Sequence, residues 1–444
     1  MANQILSVWG TIGSVVLAIF ILLVMITVHE FGHYLAGKIL RFKIDEFSIG
    51  FGPALFQHKS KKSGEVFALR LIPLGGFCAF AGEDGLDEGK EEGENLPEPF
   101  GEEFAAPSES DPEKMQEHTL EKSKAEELPT ENKTDADGKR KRNPKKEKGY
   151  FTEKKPWQRI IVLVAGALMN YVLAVFLIIV CFFAYGQTMT AVYTAEKTDE
   201  IPAEFCLQDK DILLKADGKS IYLTTDIARA VNGKKAGDKV KFLISRVIET
   251  VTEVDPETGE EKFVKNIREE MTVEVMLRCD VKVKNSADLD AVWKAIGVEY
   301  SEEHGGFMLA SSSYRFGFFE TLGRSFLYSF KIAGSIFKII GELLTGNLGI
   351  TALGGPVTTI AMTSQVASAS FRGFLEIAGF IGVNLAVFNL LPIPALDGSK
   401  VVFTVIEWIR KKPLSRKVEA VIHAVGFVLL LGFAVMVDIL QFVL

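Results

Sequence analysis

The sequence predicts a polytopic α-helical membrane protein with four transmembrane helices, a β-hairpin element beside the first of them, and one extracytoplasmic α+β domain. Three observations carry this. The 444-residue chain is 48% apolar and has positive mean hydropathy. Its apolar residues gather into four blocks long enough to cross a bilayer, which takes about 20 helical residues. Between the second and third blocks the composition turns to that of a soluble domain.

Residues 1–37 form the first span. The apolar run from about Thr11 to Leu35 contains no Asp, Glu, Lys, Arg or His except His29, Glu30 and His33. It lacks the basic start and small-residue cleavage site of a secretion signal, so it reads as a retained helix. Lys38, Arg41 and Lys43 follow at once. Positive residues stay inside, so this helix runs from the outer face inward and carries His29 and His33 nearer the cytoplasm.

Residues 38–82 alternate apolar clusters with glycine and proline, as in Phe47-Ser48-Ile49-Gly50-Phe51-Gly52-Pro53 and Leu71-Ile72-Pro73-Leu74-Gly75-Gly76-Phe77. They read as β-hairpins. Either this is an ordinary cytosolic hairpin, or it is shielded at membrane depth and offers an edge to an extended substrate. Residues 83–158 form an insert, acidic and expected to be disordered from Glu83 to Asp137. It is basic from Lys139 to Lys148, with Lys154, Lys155 and Arg159 beyond, which suits a topology anchor or a lipid-headgroup contact.

The second span, within 159–186, returns the chain outward and has Gly166 and Asn170 as polar exceptions. Gly166 is explained by close helix packing, while Asn170 could bond across helices or support a site. Residues 187–300 alternate short strands, turns such as Ala216-Asp217-Gly218-Lys219, and a helical Asp226–Val231, as in one small α+β domain. Within 301–370, Leu322, Phe326, Phe330, Ala333, Phe337, Ile340 and Leu344 recur at helical spacing opposite Arg324, Lys331 and Lys338. That pattern suits an amphipathic helix on the outer membrane surface. The third span lies in 371–398. Arg410, Lys411, Lys412, Arg416 and Lys417 after it place its end on the cytoplasmic side, and 399–444 holds that loop and the fourth span.

The net charge of −7 averages an acidic insert with basic flanks and gives no support for nucleic-acid binding. Cys78, Cys181, Cys206 and Cys279 lack the paired spacing of a zinc ribbon or redox motif. Cys206 and Cys279 both fall in the outer domain, where a disulfide between them is chemically permitted.

His29-Glu30-Phe31-Gly32-His33 is an H-E-x-x-H sequence, and in a helix it projects both histidines from one face with Glu30 beside them. That is the zinc-binding arrangement with Glu30 as general base. Catalytic zinc takes a third protein ligand and leaves one position open. Asp397 is the best candidate, since it lies at the same depth after a proline-broken helix end; the other reading makes it a helix cap. Two histidines and a carboxylate also suit other divalent metals. Asn389 could hold substrate or steady an oxyanion.

Together, His29-Glu30-x-x-His33, Gly166-x-x-x-Asn170, Pro73-Leu74-Gly75-Gly76 and Asn389-x-x-Pro392-x-Pro394-x-x-Asp397-Gly398 resemble the site-2 protease family, in its bacterial RseP-type branch. The resemblance covers nearly the whole chain apart from the insert. It implies an intramembrane zinc metalloprotease of the bacterial cytoplasmic membrane, with the N-terminus outside and the active site near the cytoplasm. Its substrates would be single-pass proteins, such as anti-sigma factors already cut by a site-1-type protease, or remnant signal peptides. It also implies that 187–300 is a PDZ-like domain acting as a size filter and that 38–82 is a membrane-associated re-entrant β-hairpin element. Asn170, Asn389, Pro392, Gly75 and Gly76 would contact substrate. The usual Gly-Leu-x-x-Gly-Asp of the PDZ loop is here Cys206-Leu207-Gln208-Asp209-Lys210-Asp211, without either glycine. Two other functions fit parts of the sequence: a membrane-anchored zincin cutting soluble segments, and a non-catalytic PDZ-bearing scaffold or transporter.

Overall fold

The computed structural model describes residues 2–83 and 149–443, apart from 197, 199 and 255–260. Most of the expected insert, residues 84–148, lies outside the described residues. In chain order, α1 (Ala2–Ile39) leads into β1 (Ile44–Lys59), β2 (Val66–Phe80) and α2 (Pro156–Tyr185). Then come β3 (Gln187–Val192), β4 (Ile212–Ala216), β5 (Lys219–Ser220), α3 (Thr224–Val231), β6 (Lys239–Val254), β7 (Glu261–Met276), α4 (Asp290–Ala295), β8 (Tyr300–Ser301), β9 (Gly306–Phe307) and β10 (Leu309–Tyr314). Helices α5 (Phe318–Leu344), α6 (Pro356–Ala369), α7 (Phe371–Leu390), α8 (Asp397–Arg410) and α9 (Arg416–Val443) complete the chain.

Among the described residues, four helices are long and apolar enough to cross a membrane: Gly13–Ile39 in α1, α2, α7, and Lys417–Gln441 in α9. Helix α2 is the hub, packed against α1, α5, α7 and α8. It starts at Pro156, whose fixed φ and missing N–H suit the first helical position. Gly32 lets α1 lie directly on it, because a Cβ there would stand 2.4 Å from the Ala165 carbonyl oxygen. Small residues allow this backbone approach where no hydrophobic effect drives helices together.

The strands β1 and β2 form one bent, irregular sheet beside α1. The 44–49 segment pairs with 76–80 on one side and with 66–69 on the other, while 54–59 pairs with 66–70. Phe51, Leu55, Phe56, Leu71 and Ile72 are exposed on it. Glu65 is buried and takes Lys38 at the end of α1 as its salt-bridge partner, which ties the hairpin to that helix.

The α+β domain has the strand order β10-β3-β4-β6-β7, with β5 paired to β4. Leu213, Phe242, Ile244, Ile227, Val292 and Ile296 form its dry core. Asp211 is fully buried and accepts from Arg246 Nε at 2.9 Å, from its guanidinium NH2 at 2.7 Å, and from the Gln208 amide at 2.8 Å. All four cysteines are free. Cys206 and Cys279 therefore form no bridge; their thiols instead face the carbonyls of Ile201 and Ala291.

Helix α5 refines the amphipathic expectation. Its buried stripe is largely polar, with Arg324 at 3% exposure and Ser325 and Ser329 at zero, while Phe319, Phe326, Phe330 and Phe337 are exposed. Arg324 does not point away to water. It donates to Gln187 Oε1 at 2.7 Å and to the Ile221 carbonyl at 2.6 Å, and stacks over Phe316. Lys331 reaches Asp226. The polar face docks the α+β domain and leaves the aromatic face outward, the inverse of a water-soluble helix.

Removing the Asp211 carboxylate would strand Arg246 inside the domain. Asp211→Ala is expected to destabilise the domain by about 3 kcal/mol or more, read as lost hydrogen-exchange protection of β3, β4 and β6 in the intact, detergent-solubilised protein.

Candidate metal centre

Positions 29 and 33, one turn apart, turn both imidazoles of α1 toward α2. Their rings meet edge to face, with centroids 4.7 Å apart. Asp397 arrives from the far end of the chain. Helix α7 stops at Leu390, a turn containing Pro392 and Pro394 follows, and α8 begins at Asp397 itself. Gly398 allows α8 to start tight against that turn, since a Cβ there would fall 2.2 Å from the Leu391 carbonyl oxygen.

Three donor atoms converge. His29 Nε2 lies 2.9 Å from Asp397 Oδ2, His33 Nε2 lies 3.2 Å from the same oxygen, and the two nitrogens are 3.1 Å apart. Donors held at about 2.0–2.1 Å around a tetrahedral cation stand about 3.3 Å from one another, so the triangle fits zinc. Two neutral imidazoles and one carboxylate are also a chemically apt set, and three protein ligands leave one position for a reactant. Among the described residues, this is the one group of three or more such donors that converges.

A second layer fixes the rings. The His33 Nδ1–H donates to the Val162 carbonyl of α2 at 2.8 Å, leaving the Nε2 lone pair for the cation. His29 needs an acceptor for its Nδ1 proton in the same way. The side-chain amides of Asn389 and Asn170 lie 3.3 and 3.5 Å from that nitrogen. Asn170 Oδ1 is otherwise buried without a partner, so a half-turn of its amide supplies the acceptor.

Of the other positions singled out by sequence, Glu30 stands beside the donor triangle and outside it. A Cβ on Gly76 would lie 3.0 Å from Glu30 Cγ, so this glycine lets the sheet come up to Glu30. Gly75 leaves room for the Phe51 ring. Pro392 is exposed in the turn after α7 and takes no part in the triangle. Gly166 is more than a packing residue. A Cβ there would meet His33 Nε2 at 2.3 Å and His29 Cε1 at 2.8 Å. Its spacing from Asn170, one helical turn, is the signal that could have placed both on the site.

The model of Peptidase family M50 matches residues 17–433. The chain belongs to Peptidase family M50. This is the site-2 protease family, and the protein is a membrane-embedded, zinc-dependent metalloprotease by membership. Among similar proteins, zinc metalloprotease RasP of Bacillus licheniformis is 28% identical over 451 residues, covering 94% of this chain and 96% of that one. Two relatives carry provisional zinc-metalloprotease names. The one from Brucella suis biovar 1 is 27% identical over 423 residues, 95% of this chain and 93% of that protein. The one from Clostridium perfringens strain 13 is 28% identical over 432 residues, 96% and 97%.

In this M50 chain, Gly166→Ala forces a methyl group into the two imidazoles. It is expected to weaken zinc binding by about 10-fold or more, measured as retained zinc after dialysis against a graded chelator series.

Proposed function

We propose that this protein carries out regulated intramembrane proteolysis, cutting a peptide bond inside the transmembrane segment of single-pass proteins. What carries this reading is the depth of the donor triangle. His29 and His33 lie about 9–15 Å along the helix from the end of α1 at Ile39, at about 1.5 Å per residue. The α2 residues that back them, Val162, Gly166 and Asn170, belong to a second candidate span.

His29, His33 and Asp397 would hold the zinc, which when bound polarises a carbonyl and acidifies water. Glu30 is the general base. Its carboxylate takes a proton from the attacking water as the oxygen–carbon bond forms at the scissile carbonyl, and passes the proton to the departing amide nitrogen as the carbon–nitrogen bond breaks. Asn389 and Asn170 orient His29; the half-buried Asn389 would meet the substrate backbone, whereas Asn170 is buried at 1% exposure and serves the ring alone. The 76–80 segment pairs with 44–49 on one side, and its glycine at 76 abuts Glu30. An extended substrate added to its other side would bring a backbone to the site by β-augmentation. In this reading β1 and β2 are the re-entrant element, and residues 187–300 a PDZ-like filter that excludes bulky outer domains.

The substrates proposed are anti-sigma factors already shortened by a site-1-type protease, or remnant signal peptides. The setting is the bacterial cytoplasmic membrane, with the N-terminus outside. A zincin acting on soluble segments would carry its motif beyond the span, whereas here it lies within α1.

The test uses the purified full chain and a tagged single-span peptide. Glu30→Gln is expected to lower cleavage by at least about 10²-fold with zinc content unchanged, and chelation should abolish cleavage until zinc is restored. Mass spectrometry should put the cut inside the apolar segment. Retained cleavage by Glu30→Gln would falsify the mechanism, and a cut confined to soluble flanks would favour the zincin.

A further inference from the structure

Helix α9 is the most exposed of the four apolar helices, yet it touches the turn that delivers Asp397. The Ala395 N–H donates to His423 Nδ1 at 3.1 Å. One helical turn on, Gly426 faces Pro394 so closely that a Cβ there would stand 2.2 Å from Pro394 Cβ. Residues three apart share a helix face, so His423 and Gly426 form one notch that receives Pro394 and Ala395. The turn needs such a restraint. Ala395 has φ of 80°, in the left-handed region, where a residue with a Cβ persists only when its surroundings hold it. Asp397 is two residues further on. The His423 ring is steadied in turn by Phe403 of α8, edge to face with centroids 5.6 Å apart. With Nδ1 accepting, the ring proton sits on Nε2, an atom buried without a hydrogen-bond partner among the described residues, while the residue as a whole borders a cavity of about 840 Å³ also lined by Glu83, Lys400 and Lys417.

We propose that His423 is a positioning residue for Asp397. Its Nδ1 lone pair holds the Ala395 amide, which fixes the left-handed turn and sets where α8 begins, and so brings Asp397 Oδ2 to the two imidazoles. Nothing in the H-E-x-x-H motif or in the Asn389–Gly398 motif implies this residue. The inference rests on the metal centre described above but not on the nature of the substrate.

The test is zinc affinity, measured by chelator competition on the detergent-purified full chain, together with the visible spectrum of the cobalt-substituted protein. His423→Leu removes the acceptor and is expected to weaken zinc by about 10-fold or more and to change the cobalt bands. His423→Asn places an amide oxygen where Nδ1 was and should stay within about threefold of the unmodified protein. Gly426→Ala keeps the acceptor but displaces Pro394, and should also weaken zinc. Should His423→Leu not fold, His423→Asn against His423→Gln carries the same comparison, because glutamine sets its oxygen one bond too far; equal affinity in those two overturns the proposal. Unchanged affinity and spectrum in folded His423→Leu, or equal losses in His423→Leu and His423→Asn, overturn it and leave the metal centre standing. An unmodified protein that takes up no zinc overturns the centre and this inference together.

Discussion

Three donor atoms no more than 3.2 Å apart, from positions 29, 33 and 397, make the contact on which the rest depends. Two imidazole nitrogens and a carboxylate oxygen at that separation turn lone pairs toward one another among apolar helices. Burying such groups unpaired is costly. A divalent cation converts the same arrangement into a cohesive one, so metal loading and the joining of α1 to the start of α8 are linked. A metal held there would thus act as a structural clasp, connecting segments more than 360 residues apart in sequence.

Polar side chains elsewhere follow the same logic. Helix α9 turns most of its surface outward, and its anchors are polar ones. Near its start His423 accepts from Ala395. Near its end the buried Asp438 accepts from the amides of Val357 at 3.0 Å and Thr358 at 3.3 Å, capping the first turn of α6. A carboxylate at a helix N-terminus satisfies orphan N–H groups and meets the favourable end of the dipole. In α5, likewise, Arg324 and the serines face protein while phenylalanines face out. Where the surroundings are apolar, polar groups mark the interior.

This inversion explains what was legible in the sequence. His29, Glu30 and His33 stand out because an apolar run offers no other reason for them, and Asp397 because the positive residues after it set its depth. Gly166 taken alone reads as packing, and only its one-turn spacing from Asn170 hints at the imidazoles it admits. His423 belongs to no motif, and the hydrogen bond that gives it meaning comes from a backbone amide, which sequence does not distinguish. The strands β1 and β2 were recognisable from glycine, proline and β-formers, but not their double pairing around 44–49, because bulged registers depend on neighbours. The charge of Arg324 suggests a water-facing position, but its partners are Gln187 and the Ile221 carbonyl of the α+β domain.

One helix serves as reference for every donor of the triangle. Helix α2 holds His33 through the Val162 carbonyl and faces His29 with Asn170. It holds α8 as well: Arg159, near its start, donates to Glu407 Oε2 at 2.7 Å, both side chains being 8% exposed, and its guanidinium lies over Phe151. Glu407 also accepts from the Leu414 amide, which fixes the connection to α9. A buried ion pair adds little net stability against an apolar alternative, so its value here lies in register. It sets α8 along α2 at the end remote from Asp397, while the contacts of His423 set the turn at the near end. With both ends of α8 referred to α2 and α9, Asp397 reaches imidazoles that are themselves fixed by α2.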